Sequence, residues 1–198
     1  VRQPHKTAAL PISGEHLLSG RNTHGIARIR RLVSDARSPS ERTSVMPVQF
    51  EWLASHMQHS DTYAAWIHQQ FQYEYAHQPL AQWQREFAEG QSNGDWSCLI
   101  ALDGDRLVGG AALARDDLEH RQDLGPWLAC VFVDPEVRGQ GLAQQLIDGV
   151  CREAKIRGLP RLYLHTQNKQ DYYAKRGWAV VERFHAWDND QWLMVRDL

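Results

Sequence analysis

The residues best suited to chemistry lie in one stretch, Val131-Phe132-Val133-Asp134-Pro135-Glu136-Val137-Arg138-Gly139-Gln140-Gly141-Leu142-Ala143. An apolar run from Pro126 to Val133 stops at Asp134-Pro135, and Leu142, Leu146, Ile147, Val150 and Cys151 then recur at helical spacing. The glycines therefore fall in the turn between a buried strand and a helix. Without a Cβ, Gly139 and Gly141 let backbone N–H groups come close to an anion. They do so at a helix N-terminus, where the dipole favours negative charge, and Arg138 adds a full positive charge beside them. This is the chemistry of a pyrophosphate cradle; glycines that merely permit a tight turn are the plainer alternative. No Gly-Lys-Ser/Thr closes the loop, and no third glycine with a downstream acid comes after it. The cofactor implied is therefore neither that of a P-loop nor that of a dinucleotide fold.

The elements that must position this turn can be read on either side of it. Val48 to Leu53 alternates apolar and polar residues as a half-buried strand does. Tyr63 to Phe71 and Pro79 to Phe87 are aromatic-rich at helical spacing, the second opening on a proline. Ser97 to Leu102 and Arg106 to Leu113 flank Asp103-Gly104-Asp105 and read as a hairpin. The helix after the glycines stops at Gly158-Leu159-Pro160. Beyond it come a strand at Arg161 to Thr166, a short helix at Gln170 to Arg176 closed by Gly177, and strands at Trp178 to Arg183 and Gln191 to Val195. The pattern is a mixed α/β sheet with a central strand–helix–strand crossover.

A chain of 198 residues holds one domain of ordinary size. Its net charge of −2 hides an asymmetry. Residues 1–45 carry eight Lys and Arg against three Asp and Glu, while residues 46–198 carry 14 against 21. An acidic body argues against nonspecific nucleic-acid binding and suits a cationic partner such as an amine. No apolar run is long enough to span a bilayer, and Cys98, Cys130 and Cys151 match neither a metal-ligand nor a disulfide spacing. The expectation is a cytoplasmic protein with no metal and no membrane partner, for which a homodimer is allowed. Residues 1–45 lack Phe, Trp and Tyr. They read as a disordered extension, an Arg-rich targeting segment, or a stretch translated ahead of a natural start at Met46, the last being favoured because organised patterning begins there.

Arg138-x-x-Gly141-x-Ala143 matches the Arg/Gln-x-x-Gly-x-Gly/Ala loop with which GNAT acetyltransferases hold the coenzyme A pyrophosphate. Downstream, Tyr173-Ala174-Lys175-Arg176-Gly177-Trp178 matches that superfamily's Tyr-x-x-x-Gly-aromatic signature. Over residues 46–198 the chain thus resembles the GNAT superfamily of acetyl-CoA-dependent N-acetyltransferases. The resemblance implies an α/β fold with a splayed, mostly antiparallel sheet of about seven strands and about four helices. It implies a cofactor cradle of Arg138, Gly139, Gln140, Gly141, Leu142 and Ala143, with the pantetheine arm along the backbone of Val131, Phe132 and Val133. It places Tyr173 as the acid that protonates the leaving thiolate. One departure is that Thr166 stands where many members carry a cofactor-binding Asn, which moves that role to Asn168. In this respect Leu162 to Asn168 resembles a subset containing bacterial members of unassigned substrate and the acetyltransferases of actin N-termini.

Direct attack on a thioester needs a deprotonated amine, hence a base near the central strand. Asp116, Asp117, Glu119, His120 and His165 are the candidates, with Asp117 and His165 selected. A solvated loop for the acidic run and a structural role for His165 are the alternatives. Trp52, Trp66, Trp83 and Trp96 are either core or walls of an acceptor pocket. The expected function is transfer of an acetyl group from acetyl-CoA to a primary amine, a small molecule being favoured. A protein N-terminus or lysine as acceptor, and a non-catalytic acyl-CoA sensor, are the other readings.

Overall fold

The computed structural model describes residues 47–198, so the readings made for residues 1–45 and the boundary at Met46 lie outside the described residues. Strands β1 (Gln49–Trp52), β2 (Trp96–Asp103), β3 (Arg106–Ala114), β4 (Trp127–Val133), β5 (Arg161–Thr166), β6 (Ala179–Ala186) and β7 (Asn189–Asp197) form one sheet in the order β1-β2-β3-β4-β5-β7-β6. Every neighbouring pair is antiparallel except β4 and β5, which are parallel and joined through helix α3 (Leu142–Ile156). Helices α1 (Ser60–Gln70) and α2 (Leu80–Asn93) pack on one face. Helix α3 and the short α4 (Gln170–Ala174) pack on the other. The α/β fold expected from the sequence is thus present, with seven strands and four α-helices among the described residues.

Each layer follows from its residues. Along α3, Leu146, Ile147, Val150 and Ala154 recur on one side and are fully buried against β2, β3 and β4; burying a Leu, Ile or Val contributes about 1.5–3 kcal/mol. On the opposite face Trp83 and Phe87 of α2 pack with Tyr63 and Trp96, and the Trp83 indole Nε1–H donates to the Ala64 carbonyl at 2.8 Å. Helix α2 runs past the predicted end at Phe87 to Asn93, where Gly94 closes it at φ 84°. The polar run after Phe87 hid that extension, because its exposed face carries no apolar period.

Two departures from regular pairing shape the centre. In β4, Phe132 pairs with Gly110 but Ala129 pairs with Ala112, so Cys130 and Val131 bulge opposite a single residue, and Cys130 takes φ 54°. Ala129 and Cys130 consequently both face the α1/α2 layer, whereas Val131 faces α3. The buried Tyr63 hydroxyl donates to the Cys130 carbonyl and pins the bulge. A Cβ at Gly110 would lie 2.7 Å from the Tyr63 ring, so glycine is required there. The second departure is between β4 and β5, whose ladder consists of the single pair Trp127↔Tyr163. No ladder holds the two strands together toward their C-terminal ends, and the sheet is open there.

Candidate active site

The opening between β4 and β5 lies beside the turn that leads into α3. On the α3 face, β4 ends in a 3-10 turn, Pro135–Val137, started by Asp134, whose carboxylate accepts from the Glu136 N–H at 3.0 Å. Burial raises the Asp134 carboxyl, but that N–H and the neighbouring Arg106, 2.7 Å away, together hold it below the usual carboxylate range. Asp134 thereby serves as an anionic brace for the glycine turn.

Gly139 and Gly141 adopt φ 80° and 79°, a region costly for other residues, and a Cβ at either would meet nothing within 4 Å. Positive φ and open space, rather than tight packing, are what these glycines supply. The Arg138 Nε–H donates to the Val133 carbonyl at 2.9 Å, which aims the guanidinium across the turn. Burial lowers its pKa somewhat against the opposing charge of Asp134, and the group stays cationic. A cavity of about 270 Å3 opens here over the N-terminus of α3, lined among others by Arg138, Gly139, Gly141, Ala143, Tyr172 and Arg176. The residues fit a pyrophosphate: an open glycine turn, an unencumbered helix start and two guanidinium groups.

Arg176 is not among the residues selected from the sequence. Its guanidinium lies 3.5 Å from the Tyr172 ring centroid and donates to the Tyr172 carbonyl at 2.8 Å. Tyr172 is therefore a platform for the second cation as well as a packing residue. The only sequence signal was the position of Arg176 beside Gly177, which lies beyond α4 at φ 82°. Leu142 is buried under the turn and Gln140 is exposed. Asn168 is exposed in the connection from β5 to α4, and Thr166 accepts the Lys169 N–H at 3.2 Å.

Tyr173 lies on the same face, fully buried, its ring 5.3 Å from Tyr172 and 5.9 Å from Trp178. Its hydroxyl has no hydrogen-bond partner from the protein. Burial pushes its pKa up, the Tyr172 phenol adds to this, and Arg176 opposes it. The group is protonated at neutral pH and can only give a proton away.

On the other face, the structure joins the two selected base candidates. The His165 Nε2 lies 3.3 Å from an Asp117 carboxylate oxygen, and both side chains are inaccessible to solvent. Asp117 is thus not part of a solvated loop, unlike Asp116, Glu119 and His120, which are exposed. Strand alternation puts His165 on the same side as Tyr163, over the opening, with the Trp127 ring 6.3 Å away. Trp187, in the tight β6–β7 turn, stacks on the imidazole at 5.6 Å and 23°. Trp187 and Asp188 hold φ 51° and 58°, a turn that ordinarily selects Asn-Gly, so a bulky aromatic is kept there at a cost of about 1–3 kcal/mol.

Tyr73 and Glu74 come after α1 and neighbour this group of residues; neither is selected from the sequence. Tyr73 meets Trp187 edge-on at 6.4 Å. Burial raises the Glu74 carboxyl well above its usual range, the charge of Asp117 pushes the same way, and the Tyr73 hydroxyl partly offsets both. Of the four candidate tryptophans, Trp83 and Trp96 are core. Trp66 packs on Phe132 at 5.2 Å and lines a cavity of about 430 Å3 with Phe132 and Arg138. Trp52 is partly buried and packs against the α3-side core. Among the described residues no group of three or more His, Cys, Asp or Glu is arranged to hold a metal ion, and no helix is long and apolar enough to cross a membrane.

An open sheet with a glycine turn at the start of the crossover helix defines a class, and comparison with known proteins gives its name. Residues 60–178 match the Acetyltransferase (GNAT) family, so the chain belongs to that family. Its fold is similar to that of the PaiA N-acetyltransferase from Thermoplasma acidophilum, solved in complex with coenzyme A. That match has a TM-score of 0.56 at 16% identity, covering 77% of this chain and 100% of the other. It is also similar to an aminoglycoside 6'-acetyltransferase type Ii, with a TM-score of 0.59 at 19% identity over 77% and 97% of the two chains. A curated relative, N-alpha-acetyltransferase 30 of Schizosaccharomyces pombe, is 27% identical over 93 residues, 45% of this chain and 61% of that protein. The match spans about three fifths of that relative's length.

Proposed function

We propose that the protein transfers an acetyl group from acetyl-CoA to a primary amine by direct attack in a ternary complex, with a small molecule as the acceptor. One observation carries this reading: the buried, protonated Tyr173 lies in the α3-side layer, while the buried Asp117–His165 pair lies in the opposite layer, beneath Trp187. An acyl transfer to an amine needs a proton removed on one side and a proton delivered on the other.

Acetyl-CoA, when bound, supplies the thioester carbonyl that the amine attacks. Arg138, Arg176 and the N–H groups of Gly139 to Ala143 would hold its pyrophosphate. Beyond the single β4–β5 pair, the edge of β4 that faces β5 has no ladder partner, so outward backbone N–H groups around Phe132 and Val133 would serve as preorganised donors to the carbonyl oxygen, where negative charge grows. His165 takes the proton of the incoming amine, Asp117 stabilises the imidazolium that results, and the Trp187 face adds a favourable cation–π contact. Tyr173 delivers its proton to the leaving sulfur. Asn168 is kept as a cofactor contact that would form on binding.

The closure of the base pair beneath Trp187 and Tyr73 favours a compact acceptor. The likeness to an N-alpha-acetyltransferase favours a protein N-terminus instead, as the second reading. The test is calorimetric titration with acetyl-CoA, then thiol release across small amines and N-terminal peptides. Release with small amines alone supports the proposal, release with peptides alone replaces its acceptor, and binding without release makes the protein a sensor.

A further inference from the structure

The acceptor side contains more buried polarity than one base requires. Besides the Asp117–His165 pair, the carboxyl oxygens of Glu74 and the side-chain amide of Gln191 are buried, and both groups neighbour the Tyr73 hydroxyl. Gln191 is inaccessible to solvent, two positions before Leu193, and Leu193 pairs with His165 across β5 and β7. It therefore shares the face that carries His165, and it lies within reach of the Tyr73 hydroxyl. Asp117 acts electrostatically on both Tyr73 and Glu74, and Tyr73 meets Trp187 edge-on, so these groups are neighbours.

A buried polar atom left unsatisfied is destabilising, and more so if charged. One Tyr73 hydroxyl cannot satisfy all the polar atoms of Glu74 and Gln191, so the remainder favour an occupant. A carboxyl beside an existing carboxylate, walled by Tyr73 and Trp187, is complementary to a positive charge. That charge cannot belong to the reacting nitrogen, which must be neutral when it attacks and whose proton goes to His165.

We propose that Glu74, with Tyr73 and Gln191, forms a buried subsite for a second, non-reacting cationic nitrogen, so that the acceptor is a compact diamine. The proposal rests on the acetyl-transfer reading and names its substrate class. Because burial and the charge of Asp117 favour the protonated form of Glu74, entry of a dication should draw a proton from it.

The test uses the full chain saturated with coenzyme A and titrated with α,ω-diaminoalkanes of two to five carbons and with monoamines of equal length. At least one diamine should bind at least tenfold more tightly than its monoamine, with proton release visible as a dependence of the binding heat on buffer ionisation. Glu74→Gln should remove both the preference and the proton release while leaving coenzyme A affinity unchanged, and Gln191→Leu should weaken diamine binding about threefold to tenfold. Equal binding of diamines and monoamines, or a preference that survives Glu74→Gln, would mean that only water fills the subsite and would overturn the proposal. Failure of coenzyme A to bind, or of any amine to release thiol, would instead defeat the acetyl-transfer reading.

Discussion

The groups on the two faces of the sheet are assembled in different ways. On the α3 face the cradle comes from one continuous stretch, Val133 to Ala143, supplemented by Arg176. Its donors are backbone groups, and its geometry is set by two glycines and one arginine–carbonyl bond. On the α1/α2 face the groups come from four distant segments: Tyr73 and Glu74 after α1, Asp117 after β3, His165 on β5, and Trp187 with Gln191 at the β6–β7 turn. A common cofactor can be held by a local backbone motif, whereas an individual acceptor must be recognised by side chains that only the tertiary fold assembles.

Substitutions can break this division, beginning where the effect is largest. His165→Ala should lower kcat by about 10²–10⁴-fold, the usual worth of a positioned base, with acetyl-CoA affinity unchanged. Asp117→Asn should do nearly as much, because the imidazolium loses its counter-charge. Stopped-flow thiol release separates these from binding defects; a normal rate in His165→Ala would remove it from the reaction. Tyr173→Phe should slow turnover by about a hundredfold with little change in cofactor affinity, because it deletes a proton donor and keeps the ring in its packing.

Smaller effects sharpen the comparison on the cofactor side. Arg138→Ala should weaken coenzyme A binding by about 10–100-fold, the worth of one charge-assisted contact, and Arg176→Ala by less, since Tyr172 shares its charge. Amine KM should hardly move in either variant. If Arg176→Ala proves the more damaging, the continuous motif is not the main anchor.

Glu74 gives a pH-dependent test of the opposite face. Its native pKa lies above its unfolded value, so above the ordinary carboxylate range the native state binds more protons than the unfolded state, and stability falls as pH rises. Glu74→Gln should therefore raise Tm at pH 7–8 and leave it nearly unchanged at pH 4. The groups facing it are Asp117 and Tyr73, with His165 beyond Asp117. An equal Tm change at both pH values would show that Glu74 is not held protonated. The smallest effect is expected from removing residues 1–45: a chain beginning at Met46 should bind acetyl-CoA as the full chain does, and its failure to fold would show that the head belongs to the domain.

The same contrast decides how much is legible in the sequence. Every strand and helix is visible there as a period or a stop signal, because burial of α3 and β4 dictates apolar spacing locally. The cradle is visible because glycines and an arginine at fixed spacing specify their own backbone geometry. Asp117 and His165 are visible as residue types but not as a pair, since 48 positions separate them and only the β3–β4 and β5 placements bring them to 3.3 Å. Glu74 and Gln191 carry no signal at all: a polar residue destined for burial looks like any surface residue until its neighbours are known. The β4 bulge is equally hidden, because a one-residue register change leaves an all-apolar strand unaltered in pattern.

Separate handling of cofactor and acceptor by the two faces is tested most directly by calorimetric titration of acetyl-CoA into the parent chain, Arg138→Ala and His165→Ala. Tight binding by the parent and by His165→Ala, with at least tenfold weaker binding by Arg138→Ala, is the expected result. No binding by the parent, or equal loss in both variants, would contradict it.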